Sequence, residues 1–402
     1  MTITTPTPSN ETTRKQGRKN RRIAIIGGGP GGLTLALILQ KHGISAVVYE
    51  REPADANGQR GGSLDIHEDS GQLALKEAGL YEQFDAIARY EGEDFRLTDK
   101  SGKLYMDETA DEEEKGGRPE IDRGTLCGLL LNALEPDRIR YGFKLLEAVP
   151  LADGTHELRF ENGERDVVDL VVGADGAFSR VRPLLTEAGP EYSGLTMIEL
   201  NVDAAAHPGL AAFNKRGKVF ALDEGQAILA QLNGNGSIKV YASFRAARDW
   251  LDTCGIPFDR PAEAKRALLE RFGDWDGMLR NYIALAEDLL LPRRIYMLPI
   301  GLRWERKPGV TLIGDAAHLM SPFAGEGVNL AMRDAMELAL AIVRHEDIDA
   351  AIAAYEPVMY AYSSQSAEDS NGNLKLMFGD EAAPRLKALF DRLHAMFGEA
   401  EH

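Results

Sequence analysis

Short apolar runs that break into glycine-bearing turns recur three times along the chain. Ile23–Ile26 is apolar throughout and largely β-branched, the pattern of a strand buried on both faces. It runs into Gly27-Gly28-Gly29-Pro30-Gly31-Gly32, after which Leu33–Gln40 has the composition of a helix, and Ser45–Glu50 is a second apolar run ending in an acid. Asp169–Val172 repeats the style and breaks into Gly173-Ala174-Asp175-Gly176; Val310–Ile313 repeats it again and breaks into Gly314-Asp315. Elsewhere the period changes. Ser70–Ala78, Tyr81–Ala88, Pro261–Phe272 and Gly277–Ala286 read as helices, and Leu126, Leu129, Leu130 and Leu134 mark an amphipathic helix behind Asp122-Arg123. Phe95–Leu97 and Lys103–Met106 form an expected hairpin about Ser101-Gly102, and Tyr141–Ala148 and Glu157–Phe160 are expected strands. From Gly194 to Phe244 strands alternate with turns without a helical period, most clearly at Val219–Leu222, Ala227–Leu232 and Ile238–Phe244. Long helices are expected from about Leu330 to Arg344 and over Ile348–Ser370.

The first repeat has the order strand, glycine turn, helix, strand with a terminal carboxylate, which is the order of a dinucleotide-binding unit. Gly27 serves the tight turn, Gly29 lets the backbone approach a pyrophosphate, and Gly32 lets the helix pack closely on the strand. Glu50 lies 18 residues after Gly32, near the roughly 20 expected for an acid gripping a ribose hydroxyl. A glycine-rich turn without a ligand is the alternative, and the strand and helix on either side argue against it.

Composition narrows the partners. The chain has 402 residues with 44% apolar, enough for two or three packed domains. Its net charge of −17 hides an asymmetry, because residues 1–22 carry six basic residues against one acid. The remaining body is therefore more acidic than the total and repels polyphosphate, so nucleic acid is not an expected partner. The basic leader reads as a solvated tail. Two cysteines, Cys127 and Cys254, imply no disulfide framework, and the absence of an apolar span or secretory signal points to a cytoplasmic protein without stable membrane association. The acidic run in Asp107–Glu114 reads as a solvated loop, and no metal site is expected.

The glycine fingerprint with Glu50, the Asp175-Gly176 segment, and Gly314-Asp315 with its glycine-rich continuation together resemble the class A FAD monooxygenases, the flavoprotein aromatic hydroxylases of the p-hydroxybenzoate hydroxylase type. The match in order and spacing runs from Arg22 to about Ser370. Within that group the chain is most similar to the tetracycline-inactivating flavin monooxygenases, through YER at Tyr49–Arg51, GGSLDIH at Gly61–His67, EIDR at Glu120–Arg123, DWD at Asp274–Asp276, IGDAAHLM at Ile313–Met320 and PFAGEGVN at Pro322–Asn329. The resemblance implies an α/β fold: a Rossmann-like FAD-binding domain (residues 22–85, 118–185 and 296–345), a mainly β-sheet substrate domain (86–117 and 186–295), a bridging C-terminal helix (346–380) and a tail helix (381–402) after a leader at 1–21.

It also implies roles. Glu50 would hold the adenosine ribose, Arg51 would lie by the adenine and cofactor entry, and Asp65 and Arg123 would touch the cofactor. Asp175 belongs to a segment implicated in FAD and NADPH binding. Asp315 would reach the ribityl or ribose hydroxyls, and Pro322, Gly325, Gly327, Val328 and Asn329 would border the isoalloxazine ring. That last placement has a physical reason of its own, since the free N–H groups at a helix start favour the anionic N1–C2=O edge of reduced flavin. Glu326 stands where the nearest relatives are expected to carry glutamine. His318 is read mainly as a packing residue.

NADPH would reduce FAD, oxygen would add at flavin C4a, and the hydroperoxide would hydroxylate an aromatic or polycyclic small molecule, tetracycline being the leading candidate. Another phenolic or polyketide metabolite, or a related flavoprotein without hydroxylase activity, are the alternatives. Arg51 and Arg60 are the nearest bases for the NADPH phosphates. The substrate-holding positions fall at Glu199, Lys218 and Lys239, where the tetracycline enzymes carry glutamine, arginine and histidine, with Phe220 and Phe323 as apolar walls. Lys218 and Lys239 are expected on adjacent strands, facing either the cavity or solvent, in a chain acting as a monomer.

Overall fold

The computed structural model describes residues 21–54, 61–110 and 117–398. The three apolar runs assemble side by side. Ile23–Ile26 pairs in parallel with Ala46–Glu50 on one side and Leu170–Gly173 on the other, and Val310–Leu312 and Ile139–Tyr141 complete the five-stranded parallel sheet at its two edges. All four residues of Ile23–Ile26 and all four of Leu170–Gly173 are buried, as a sheet covered by helices on both faces requires. The helices Pro30–Lys41 and Gly327–Arg344 pack together over it, and close contact is possible because Gly31 has no side chain: a Cβ there would sit 2.9 Å from the Ala331 carbonyl oxygen.

The alternating region forms a second, seven-stranded sheet in the order Leu291–Met297, Glu191–Asp203, Ser237–Arg245, Gln226–Leu232, Lys218–Asp223, Phe95–Asp99, Leu104–Glu108. Period-two alternation sorts its side chains. Ile198, Leu200, Val219, Ala221, Ile228, Ala230, Val240 and Ala242 point to one face and pack against Leu268, Leu279 and Ile283 of the helices Pro261–Arg271 and Gly277–Ala284. Each fully buried Val, Leu or Ile among them contributes about 1.5–3 kcal/mol. The opposite face carries Met197, Glu199, Lys218, Phe220, Leu229, Gln231, Lys239 and Tyr241, in register across the strands. A two-stranded ribbon, Ser63–Asp65 with Glu120–Asp122, and a three-stranded antiparallel sheet over Leu145–Val168 complete the strands of the described residues.

The helix Ile348–Met377 joins the two cores. Ala351, Ile352, Tyr355 and Met359 lie in the core of the parallel sheet, whereas Met377 and Phe378 pack under the second sheet with Leu97, Met197 and Leu229. It outlasts the expected end at Ser370 despite Asn371-Gly372-Asn373, because Leu374 and Met377 are buried and tertiary burial outweighs local propensity. The tail helix Ala382–Gly398 covers the same face through Ala382, Ala383 and Leu386.

Several expectations are corrected. The helix expected from Leu330 begins at Gly327. Tyr141–Ala148 is two strands, ending at Tyr141 and resuming at Leu145, because Gly142 takes φ +74° between them. A short helix, Pro208–Asn214, interrupts the region expected to be strands alone; one and a half turns are too few to show a period. Lys218 and Lys239 are not on adjacent strands, since Gln226–Leu232 lies between them and Gln231 pairs with both. The leader at 1–20, Arg60 and most of the acidic run lie outside the described residues.

Candidate functional site

The three glycine-bearing breaks meet at the carboxyl ends of the parallel strands, the side on which such sheets bind ligands. Gly28 donates its N–H to Glu50 Oε2 at 2.7 Å, so the acid at the end of the second strand is fixed beside the glycine turn. The three fingerprint glycines are not equivalent. A Cβ on Gly27 would lie 2.3 Å from the Ala174 carbonyl oxygen, and one on Gly32 2.1 Å from the Gly27 carbonyl oxygen, so both are demanded by the fold. On Gly29 it would meet only Arg123 Nη2, at 3.9 Å, which leaves backbone open to a ligand. No side chain caps the helix that starts at Pro30, and its free N–H groups face the same space.

Asp315, the first residue after Gly314, is exposed although protein surrounds it. Burial of its surroundings pushes its carboxyl above the usual range, against the pull of His318, Arg123 and Arg182. An acid flanked by cationic groups and open to solvent fits a partner that offers hydroxyl donors. Asp175, in the second break, accepts from Arg180 N at 2.7 Å through Oδ2, which closes its own loop. Arg182, 2% exposed, braces that loop by donating to the Ala177 carbonyl at 2.9 Å. The sequence reading missed Arg182, whose only signal was its spacing after Asp175-Gly176.

The third break carries the loop Pro322–Gly327. Gly325 lies against Asp65, where a Cβ would approach Oδ2 to 3.1 Å, and takes φ +69°, so it is a glycine on two counts. Gly327, with nothing within 4 Å of a Cβ, opens the uncapped helix Gly327–Arg344, and Val328 follows it, half-buried. Asn329 is fully buried and its side chain is committed to the protein, accepting from His67 N (2.9 Å) and donating to the Asp65 carbonyl (2.9 Å). His318 is likewise structural: its Nε2 lies 2.6 Å from Asp334 Oδ2, and the buried Asp334 also accepts from Gly314 N and the Tyr362 hydroxyl. Burial opposes a charged His318, yet Asp334 raises its pKa.

The lysines expected to grip substrate are occupied. Lys218 Nζ lies 2.7 Å from Glu120 Oε1 and 3.6 Å from Asp65 Oδ2. Lys239, 6% exposed, donates to Glu199 Oε1 at 2.8 Å, and Arg293 Nε holds the other oxygen of Glu199 at 2.7 Å. They are not on a solvated face. Lys218 ties the second sheet to the ribbon Ser63–Asp65 and Glu120–Asp122, with Gln231 and Ser63 completing the shell of Glu120, whereas Lys239 is paired within the sheet itself. Arg51 stays at the surface beside Glu52, on the rim of a shallow depression of about 430 Å³ that also takes in Lys144 and Glu161. Its rim adjoins the glycine turn through Glu50, whose Oε1 accepts from Glu52 N at 2.9 Å. Half-buried Phe95, Phe220 and Tyr241 on one face of the second sheet share a cluster with Phe323 of the Pro322–Gly327 loop and with the buried Phe378.

A parallel sheet with a pyrophosphate-type glycine turn, a ribose-type acid, and a distal acid on a third break defines a dinucleotide-dependent flavoprotein oxidoreductase. The chain belongs to the family described as "FAD binding domain", whose model matches residues 20–249 and 302–357, and it is an FAD-dependent monooxygenase of the aromatic hydroxylase class. It is 31% identical over 427 residues to monooxygenase penA of Penicillium thymicola, covering 91% of this chain and 97% of that one. Among solved structures it resembles Klebsiella pneumoniae HpxO complexed with FAD and uric acid (20% identity, TM-score 0.76, 94% of each chain). It also resembles tetracycline destructase Tet(51) (20% identity, TM-score 0.68, 92% of this chain and 94% of that one). At those identities the structural likeness speaks for the fold. No helix of the described residues is long and apolar enough to cross a membrane.

Proposed function

We propose that the chain uses NADPH and oxygen to hydroxylate an uncharged polycyclic or phenolic aromatic compound, in a cavity between its FAD-binding segments and its seven-stranded sheet. The observation that carries this reading is the pairing of an open dinucleotide cradle with a facing aromatic wall whose charged neighbours are all spoken for. When bound, FAD would supply hydride acceptance and oxygen activation. The residues around it would bind and orient. Gly29 and the uncapped start of Pro30–Lys41 would hold the pyrophosphate, Glu50 the adenosine ribose, and Asp315 the hydroxyls of the chain leading to the ring. Arg123, whose guanidinium lies beside Gly29, would add charge at the phosphates. Gly327 and Val328 would present free N–H groups and the positive end of Gly327–Arg344 to the N1–C2=O edge of the ring, and Gly325 would let the loop backbone come close to it. Phe220, Tyr241 and Phe323 would exclude water and stack on substrate. The FAD-binding and substrate segments would divide at the boundaries given above.

Lys218 and Lys239 shape this reading by what they do not offer. Each already satisfies a buried carboxylate, so an acidic substrate gains no free cation from them. Tyr241 supplies a hydroxyl on the same face, and burial pushes its pKa up to about 12, so it would meet a substrate as a neutral phenol. Tetracycline, a polycyclic phenol whose opposite charges cancel within one zwitterion, is a candidate only as a compound without net charge.

The test is NADPH oxidation with product mass across tetracyclines, simple phenols and polycyclic phenols. Substrate-stimulated NADPH consumption with gain of one oxygen atom is expected for at least one uncharged aromatic. FAD-loaded protein that NADPH cannot reduce under any condition would leave the reading as a non-hydroxylating flavoprotein. Asp315→Ala should weaken FAD binding by roughly 1.5–3 kcal/mol, the worth of a charged hydrogen bond, as read by flavin fluorescence titration. Unchanged FAD affinity in that variant would contradict its assigned role.

A further inference from the structure

We propose that His67, held as an imidazolium between Asp65 and Glu326, is a positioning residue that cancels the charge of Glu326 and so allows a glutamate in the loop bordering the flavin. The inference rests on the FAD site proposed above. It is drawn from the geometry around His67, which is 3% exposed and belongs to none of the roles assigned so far.

His67 Nε2 lies 3.3 Å from Asp65 Oδ2, and His67 Nδ1 lies 3.3 Å from Glu326 Oε1. Carboxylates only accept, and a neutral imidazole has one nitrogen that cannot donate. A ring with a carboxylate at each nitrogen therefore satisfies both only when doubly protonated. The backbone below the ring is fixed, since His67 N donates to Asn329 Oδ1 and its carbonyl accepts from Gln72 N at 3.0 Å, and the buried side chain has no solvent to turn into. Among the described residues, the ion pair with His67 is the one that Glu326 makes. Asp65 has a second cation, Lys218, which in turn holds Glu120; Arg118 acts on His67 from further off and disfavours its charge. Burial opposes protonation of His67, but the hydrogen bonds to Asp65 and Glu326 outweigh it and raise its pKa to about 9.

The position of Glu326 gives the bridge its consequence. Glu326 is the residue before the helix Gly327–Arg344, yet its side chain does not cap that helix. It turns instead to His67, and the first N–H groups of the helix stay free for a ligand. An uncompensated carboxylate at that point would oppose the anionic form of reduced flavin; the imidazolium removes the opposition.

The experiment compares wild type, Glu326→Gln, His67→Gln and the double variant, all loaded with FAD, by midpoint potential and FAD affinity. In His67→Gln the ratio of reduced- to oxidised-flavin affinity should fall about tenfold, which for a two-electron couple is about 30 mV. Adding Glu326→Gln should restore most of that loss, because the charge needing compensation is gone. A merely structural His67 gives a loss that the second substitution does not recover, and that result, or an unchanged potential in His67→Gln, overturns the proposal. If His67→Gln fails to retain FAD, recovery of binding in the double variant replaces the potential as the deciding reading, and no recovery counts against it. Wild-type protein that binds no FAD would refute the functional reading on its own arm. The bridge is then judged in the FAD-free chain by imidazole NMR, where His67 should titrate near 9 and lower in Glu326→Gln; titration in the ordinary histidine range overturns it. The same linkage has a definite sign. A histidine whose pKa rises from 6.5 to about 9 on folding stabilises fully below pH about 6.5, and that contribution is lost as pH rises through about 9.

Discussion

Gly29→Val should abolish FAD retention while leaving the fold intact. The expected loss is at least about 100-fold in affinity, or roughly 2.7 kcal/mol. The reasoning is one of space: around the Cβ position of Gly29 the nearest heavy atom is Arg123 Nη2 at 3.9 Å, so the protein itself has no objection to a small side chain. A pyrophosphate approaching the helix start would have one. Gly32→Val is the control with the opposite signature, since its Cβ would lie 2.1 Å from the Gly27 carbonyl oxygen and must disturb the strand–helix packing whether or not FAD is added. Flavin fluorescence titration combined with thermal unfolding of the FAD-free proteins separates the two. A Gly29→Val protein that binds FAD as tightly as wild type would move the pyrophosphate elsewhere.

The second large effect is on stability. Lys218→Met should destabilise the chain by about 3–5 kcal/mol, because it removes the cation from Glu120, which is 1% exposed, and one of two cations from Asp65. Adding Glu120→Gln should return part of the loss, since Ser63 and Gln231 can still hydrogen-bond the amide oxygen. Equilibrium denaturation of the single and double variants measures both. A change below about 1 kcal/mol in Lys218→Met would mean that Glu120 is protonated or otherwise relieved, and would reopen Lys218 as a group for substrate.

These two variants also mark what the sequence made legible. The five-stranded sheet and its three breaks could be read directly, because buried parallel strands are short, wholly apolar and punctuated by glycine, and none of these signals depends on distant residues. Glu50 and Gly29 followed for the same reason. The partners of Lys218, Lys239 and His67 could not be read. Each is decided by register between segments far apart in the chain, such as Glu120 against Lys218 or Glu326 against His67, and no local pattern encodes it. Mistaking Lys218 and Lys239 for occupants of adjacent strands came from overlooking that Gln226–Leu232 returns between them. The long C-terminal helix was legible in existence but not in length, since its last turns are held by burial rather than by propensity.

One pairing in the second sheet bears on how the chain comes together. Lys218–Asp223 lies parallel to Phe95–Asp99, and every other pairing in that sheet is antiparallel. The strand that accepts Lys218–Asp223 is therefore translated more than a hundred residues earlier, before the Leu170–Gly173 strand of the other sheet exists. A nascent chain must keep the Phe95–Glu108 hairpin waiting with one edge unpaired until the later strands emerge, a contact of high sequence separation and correspondingly slow closure. A fragment spanning 186–295 would expose Lys218–Asp223 as a bare edge of alternating apolar residues, prone to pair with another copy. Dissecting this protein into autonomous halves at a single cut thus breaks a sheet wherever the cut is made between residues 108 and 218.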